Sequence, residues 1–135
     1  MKIQKIHWKE TIPIRQQVLW PNEPPEFCHV EGDTEAYHYG AFVNEKLVSV
    51  GSVFPEGRSA RLRKFATITE YQGKGIGSKL LTEVISAAKK NGISHLWCDA
   101  RESALNFYSR SGMKPEGNTF LKATIPHCRL SINLR

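Results

Sequence analysis

The rhythm of apolar and polar positions changes several times along the chain, and each change predicts an element. Met1 to His7 sets Ile3 and Ile6 in a loose alternation that suits a short strand. From Ile12 to Trp20 the apolar residues recur at near-helical steps. Pro21 to Pro25 stops that helix, because proline lacks an amide donor and restricts the residue before it. The stretch on to Thr34 reads as a polar loop or short irregular helix. Two runs, Tyr37 to Val43 and Leu47 to Phe54, flank Asn44-Glu45-Lys46 and predict a β-hairpin. A turn at Pro55-Glu56-Gly57 leads into another strand, Ala60 to Ile68, which completes an antiparallel meander.

The period then lengthens. Ile76, Leu80, Leu81, Val84, Ile85 and Ala88 fall at three- and four-residue steps and mark an amphipathic helix. Lys89 and Lys90, cations beside the negative helix end, precede the Asn91-Gly92 stop. Ser94 to Asp99 predicts a short strand and Glu102 to Ser111 a second helix closed by Gly112. The remainder, broken near Pro115 to Asn118 and at Pro126, supplies one or two closing strands. The predicted class is α/β (α+β): a single domain over residues 1–135, whose mixed central sheet has an antiparallel meander followed by a β-α-β-α unit.

Composition narrows the partners. With 40% hydrophobic and 24% charged residues among 135, the chain suffices for one buried core. No apolar run approaches the roughly 20 residues needed to cross a bilayer, and Met1 to Glu10 lacks the apolar stretch of a secretory signal. A cytoplasmic protein with no membrane partner is therefore expected. A net charge of +6 favours contact with an anion, whether nucleic acid, acidic lipid or a phosphorylated cofactor. The densest basic cluster, Arg58, Arg61, Arg63 and Lys64, lacks the interleaved aromatics of a base-stacking platform. It reads as a solvated strand face and loop, and no nucleic-acid partner is expected. Cys28, Cys98 and Cys128 form no CxxC pair and read as free thiols; the five histidines show no HxxxH spacing, so no metal is expected.

The segment Thr67 to Ser78 carries most of the chemistry, since it couples a strand end to a helix start through Gly73, Gly75 and Gly77. Glycines without β-carbons admit a ligand to the backbone, and a first helical turn presents unpaired amides that suit a pyrophosphate. The spacing is wrong for a P-loop, GxxxxGK(S/T). A GxGxxG fingerprint begins at Gly73 and Gly75 but meets Ser78 at its third glycine, after a meander unsuited to a doubly wound sheet. The pattern (R/Q)xxGx(G/A) is met by Gln72, Gly75 and Gly77. A glycine turn that binds nothing is the plain alternative.

In this loop the chain resembles the GNAT N-acetyltransferases, and Ala104-Leu105-Asn106-Phe107-Tyr108-Ser109-Arg110-Ser111-Gly112-Met113 looks like their AxxFYxxxGF segment. The resemblance runs from about Tyr37 to Met113, leaving both ends of the chain uncovered. It implies a direct acetyl transfer from acetyl-CoA, as cosubstrate, to a primary amine of a small molecule or protein. It also implies a coenzyme site of Phe65, Ala66, Thr67, Gln72, Gly73, Lys74, Gly75, Ile76, Gly77, Ser78, Asn106 and Tyr108. By the same resemblance, Phe65-Ala66-Thr67 pairs with pantetheine and aims an amide at the acetyl oxygen, Asn106 meets pantetheine or its water, and Tyr108 protonates the thiolate, while Phe107 is a core anchor.

The base is left among His127, Glu31 and Asp33, each with a plainer reading as a structural histidine or solvated loop charge. Trp20, Trp97 and Phe120 are candidate walls of an acceptor cleft or core residues, and Arg101 a candidate anchor for coenzyme or a neighbouring carboxylate. A homodimer is left open. Two rival readings stand beside the enzyme: a non-catalytic acyl-CoA-binding module and a small basic nucleic-acid-binding domain.

Overall fold

A computed structural model describes residues 1–135. Its strands are β1 (Lys2–Ile6), β2 (Tyr37–Val43), β3 (Lys46–Glu56), β4 (Ser59–Thr67), β5 (His95–Arg101), β6 (Lys114–Pro115), β7 (Phe120–Lys122) and β8 (Ile125–Asn133). The helices are α1 (Trp8–Ile14), α2 (Ile76–Lys90) and α3 (Leu105–Ser109). All strands join one mixed sheet of order β1-β2-β3-β4-β5-β8-β6, with β7 on β8. Only β4 and β5 run parallel, joined through α2. The element order and class follow the expectation, and three closing strands replace one or two. No helix is long and apolar enough to cross a membrane.

Turn chemistry moves several boundaries. Asn44 and Glu45 both take left-handed backbone, with φ of 49° and 68°, so they alone make the hairpin turn and Lys46 belongs to β3. Two consecutive residues of positive φ match the twist of the flanking strands. Pro55 and Glu56 lie within β3, paired with Ala60 and Ser59, and the turn falls at Gly57 and Arg58. Pro126 pairs with Leu121 inside β8 instead of breaking the chain. Glu102–Ala104 is a 3-10 turn, leaving α3 only five residues.

The first helix starts earlier than its apolar spacing suggests. His7 accepts from the Lys9 amide at 3.1 Å while Glu10 accepts from the His7 amide at 2.8 Å, a reciprocal cap. Pro13 sits inside α1 without an amide to donate, and the chain continues as a π-helical turn, Arg15–Leu19. Pro25–Cys28 is a 3-10 turn.

In β3, Val48 to Val53 are all buried, so both faces of this strand are covered, because alternate side chains point to opposite faces. The cover comes from α1 and α2, which both pack on β3. Leu80, Leu81 and Val84 of α2 are wholly buried, as are Val48, Val50, Leu96 and Leu130 of the sheet. Full burial of such a side chain contributes about 1.5–3 kcal/mol. Beyond β4 one face is barer: in β5, Leu96, Cys98 and Ala100 are buried while His95, Trp97 and Asp99 are half-exposed.

Candidate functional site

The site is built from an interruption in the sheet. Across β3 and β4, Val50 faces Ala66 while Ser52 faces Arg63, so β4 holds one extra residue and Lys64 takes φ of 57°. On its other edge β4 pairs with β5 only from Ser59 with His95 to Arg61 with Trp97. From Leu62 to Thr67 that edge has no strand partner. Backbone amides and carbonyls seek partners, so such an edge invites an extended ligand.

After β4, a 3-10 turn (Thr69–Tyr71) leads to the glycine loop and α2. Gly73 and Gly75 have φ of 74° and 79°, and a β-carbon on either would meet nothing within 4 Å. Gly75 caps α2 with no side-chain acceptor, and the first turn holds no acidic residue. Its amides and the positive helix end therefore stay available to an anion. The Gln72 side chain donates to the Thr67 carbonyl at 2.9 Å and ties the loop to the strand end. Gly77 differs from the expectation of ligand access: a β-carbon there would meet Phe107 at 3.3 Å and Thr67 at 3.4 Å, so its bareness serves close packing.

These parts open on one cleft of about 660 Å³. Phe65, Ala66 and Thr67 line it from β4; Gln72, Gly73, Gly75, Ile76, Gly77 and Ser78 line it from the loop and α2; Tyr108 lines it from α3. Val18, Tyr71, Ala104, Phe107 and Arg110 complete the wall. Val18 carries no sequence signal, since only the π-helical turn brings it there. Arg110 stood within the AxxFYxxxGF segment as a cation and could have been read as an anion contact. Lys74 is exposed outside the lining with its ammonium 5.9 Å from the Tyr71 ring, and Asn106 is exposed and also outside it.

Tyr108 is half-buried, edge-on to Phe107 with ring centroids 4.9 Å apart. Burial, then the neighbouring Cys98, pushes its hydroxyl above the ordinary phenol range, so it holds its proton throughout the neutral range. The Cys98 thiol is itself pushed up to about 12 by burial and by Asp99, an inert thiol. All three cysteines are buried.

The candidate bases fall in different settings. His127 is buried on β8 outside the cleft lining, stacked on Phe120 at 6.0 Å. Its Nδ1 donates to the Ile125 carbonyl at 2.9 Å, which leaves Nε2 as the free lone pair when the ring is neutral. Glu31 is exposed.

Asp33, expected as a solvated loop charge, is 1% exposed. Arg15 of the π-helical turn donates to both its oxygens at 2.8 and 3.0 Å, and the Val30 amide donates at 2.8 Å. Burial raises its pKa, but those donors outweigh it and hold the carboxyl below its usual range. A carboxylate so engaged is a poor base. Arg15 also donates to the Cys28 carbonyl and to Ser52 Oγ, each at 3.1 Å. His38 completes the cluster, with Nε2 2.7 Å from the Asp33 carbonyl and Nδ1 2.7 Å from Ser52 Oγ. The carbonyl can only accept, so Nε2 carries hydrogen; Ser52 accepts from Arg15 and donates to Nδ1 of a neutral ring.

Trp20 is exposed and edge-on to Phe27 at 5.1 Å. Trp97 lies between the guanidiniums of Arg61, 4.8 Å away, and Arg129, 4.1 Å away, and both arginines pair with Asp99. Arg101 is exposed at the end of β5. The basic cluster is less solvated than expected: only Arg58 is exposed, while Arg61, Arg63 and Lys64 are half-buried.

Residues 22–134 match the acetyltransferase (GNAT) domain family. The chain is 29% identical over 132 residues to the uncharacterised N-acetyltransferase YitI of Bacillus subtilis, covering 89% of this chain and 87% of that protein. Among solved structures, an aminoglycoside 6′-N-acetyltransferase complexed with coenzyme A superposes with a TM-score of 0.83 at 15% identity, over 100% of this chain and 98% of the other. A Bacillus subtilis acetyltransferase in complex with CoA does so with a TM-score of 0.77 at 17% identity, over 99% of each. With its interrupted β4 edge and glycine-capped α2, the chain belongs to the GNAT acetyltransferase family.

Proposed function

We propose that the chain is an N-acetyltransferase that transfers an acetyl group from acetyl-CoA directly to a primary amine. One observation carries this reading: the uncapped start of α2, the unpaired edge of β4 and the Tyr108 ring all meet in one cleft. The residues fit the coenzyme. The amides from Gly75 to Ser78 suit its pyrophosphate, with Arg110 and Lys74 as nearby cations, and the Phe65 to Thr67 edge suits the amides of its pantetheine. The coenzyme complexes among the solved relatives support the same assignment.

The coenzyme supplies an activated acyl group as a thioester. The chain's residues have three tasks. Backbone amides near Phe65, Ala66 and Thr67 stabilise negative charge on the acyl oxygen. Tyr108 donates a hydrogen bond to the departing sulfur. Its raised pKa lies above the thiol's ordinary value of about 8.5, so full proton transfer is uphill and solvent completes it. The attacking amine must be neutral, and His127 Nε2 is assigned to take its proton through water. Asn106, exposed on α3, is assigned to the pantetheine arm or its water.

Thermal unfolding with acetyl-CoA, followed by an amine screen for released CoA, tests the proposal. Ligand at about a hundredfold over its Kd stabilises a specific site by about 2.7 kcal/mol. No shift at millimolar acetyl-CoA overturns the assignment. A shift without release on any amine leaves a binding module.

A further inference from the structure

Cross-strand partners share a sheet face. Ser52 with Arg63, Arg61 with Trp97, Asp99 with Arg129 and Arg101 with His127 therefore mark one continuous face, and Arg15 in the π-helical turn reaches it through Ser52. Two segments outside the family motifs flank this face beside the cleft. On one side Trp20 and Phe27 are exposed large apolar residues; on the other, β7 and β8 carry Phe120, Lys122 and Ile125.

Between the flanks lies uncompensated positive charge. Arg63 and Lys64 are half-buried, directly before Phe65 of the cleft wall. Arg63 lies 5.7 Å from the Phe54 ring and Lys64 5.6 Å from the Trp20 ring, and no ion pair of the chain includes Arg63, Lys64 or Lys122. Burial pulls Lys64 below the ordinary lysine range, and every charge that shifts it further, from Arg63, Arg15, Lys122 and Arg61, is a cation. The one carboxylate that acts on Arg63, Asp33, is already engaged by both terminal nitrogens of Arg15. Half-buried cations outside any ion pair are costly in the free protein, so a ligand that brings a further anion relieves that cost. The other arginines of the face, Arg61 and Arg129, are already matched by Asp99.

We infer that the acceptor is an anionic amine, a primary amine that also bears a carboxylate or phosphate, with Arg63 and Lys64 binding its anion beside the acyl end of the cleft and Lys122 of β7 adding its charge to the same face. The inference rests on the acyl-transfer reading and narrows its substrate class. Polycationic amines are disfavoured by the same charges.

Released CoA thiol is measured with acetyl-CoA and matched amines: phenylalanine against phenylalaninamide, 4-(aminomethyl)benzoate against its carboxamide, O-phosphoethanolamine against ethanolamine, and spermidine. Rates are corrected for the free-amine fraction. The expected result is a kcat/KM at least about tenfold higher for the anionic member of one or more pairs. Arg63→Gln/Lys64→Gln abolishes that preference while acetyl-CoA Kd is unchanged. Carboxylate and phosphate arms identify which anion is read. Should the double variant fail to fold, Lys122→Gln on the exposed hairpin is expected to reduce the same preference. Equal rates within every pair, preference for spermidine, a parallel loss of acetyl-CoA affinity in the variant, or no turnover of any anionic amine overturns the subsite. Loss of acetyl-CoA binding by the unmodified protein overturns the acyl-transfer reading itself.

Discussion

The start of α2 and the cluster around Arg15 are both polar, both set against the sheet, and opposite in how their groups are satisfied. Around Arg15 almost every donor meets an acceptor: Asp33, Ser52, His38 and the Cys28 carbonyl close a circuit, and only Nε of Arg15 is left without a partner. At α2 the amides stand uncapped and the space above Gly73 and Gly75 is empty. A network that satisfies itself is suited to holding segments together. One that leaves its donors open is suited to a visitor.

Breaking the closed network has the largest expected effect. Asp33→Ala strands the Arg15 guanidinium in a buried site, and removing one partner of such a pair costs about 3–5 kcal/mol. A large fall in the urea midpoint is expected, and a change within error would mean that Arg15 finds water. Opening the other region is gentler on the fold. Gly75→Asp places an anion in the cradle at a position of φ 79°, and about a hundredfold loss of acetyl-CoA affinity by calorimetric titration is expected. Equal affinity in the variant would move the phosphate site elsewhere.

Legibility divides along the same line. The glycine loop could be read as a strand-to-helix turn because Gly73 and Gly75, which take positive φ there, lie on one continuous segment. The meander and α2 could be read because alternation and helical period are local. Arg15, Asp33, His38 and Ser52 come from a π-helical turn, a loop and two strands, and no spacing announces that they meet. Asp33 therefore looked solvated. Val18 escaped for the same reason. Pro126 misled because a proline is tolerated near the start of a strand, and Pro126 is the second residue of β8, past the last β5 pairing of Arg101 with His127.

A smaller effect sharpens the role of Tyr108. Tyr108→Phe removes the hydroxyl and leaves the ring against Phe107, so acetyl-CoA Kd is expected to hold while kcat falls. Because the phenol lies above the thiol, the loss belongs at the lower end for proton donors, about a hundredfold. Unchanged kcat would leave Tyr108 as packing only.

The smallest effect is on acid sensitivity. Burial holds the His38 pKa below its ordinary value, partly opposed by its bond to the Asp33 carbonyl. The unfolded chain therefore binds this proton first, and stability is constant well above about pH 6.5 and declines as pH falls through that value toward the folded pKa. One proton limits the slope to about 1.4 kcal/mol per pH unit. His38→Gln is expected to flatten the pH dependence of Tm in that window, whereas Asp33 acts at lower pH, where its carboxylate protonates. An unaltered profile would assign the decline to other groups.

Three residue pairs are all that join β4 to β5, yet that seam connects the meander half of the sheet to the β5–β8 half. One buried core cluster spans both halves, so amide exchange along Leu62 to Thr67 reports the opening of the backbone seam itself. A ligand lying along that edge acts as a rung between the halves. Slower amide exchange in β8 as well as in β4 on adding acetyl-CoA is the expected sign that such a rung ties the two halves together.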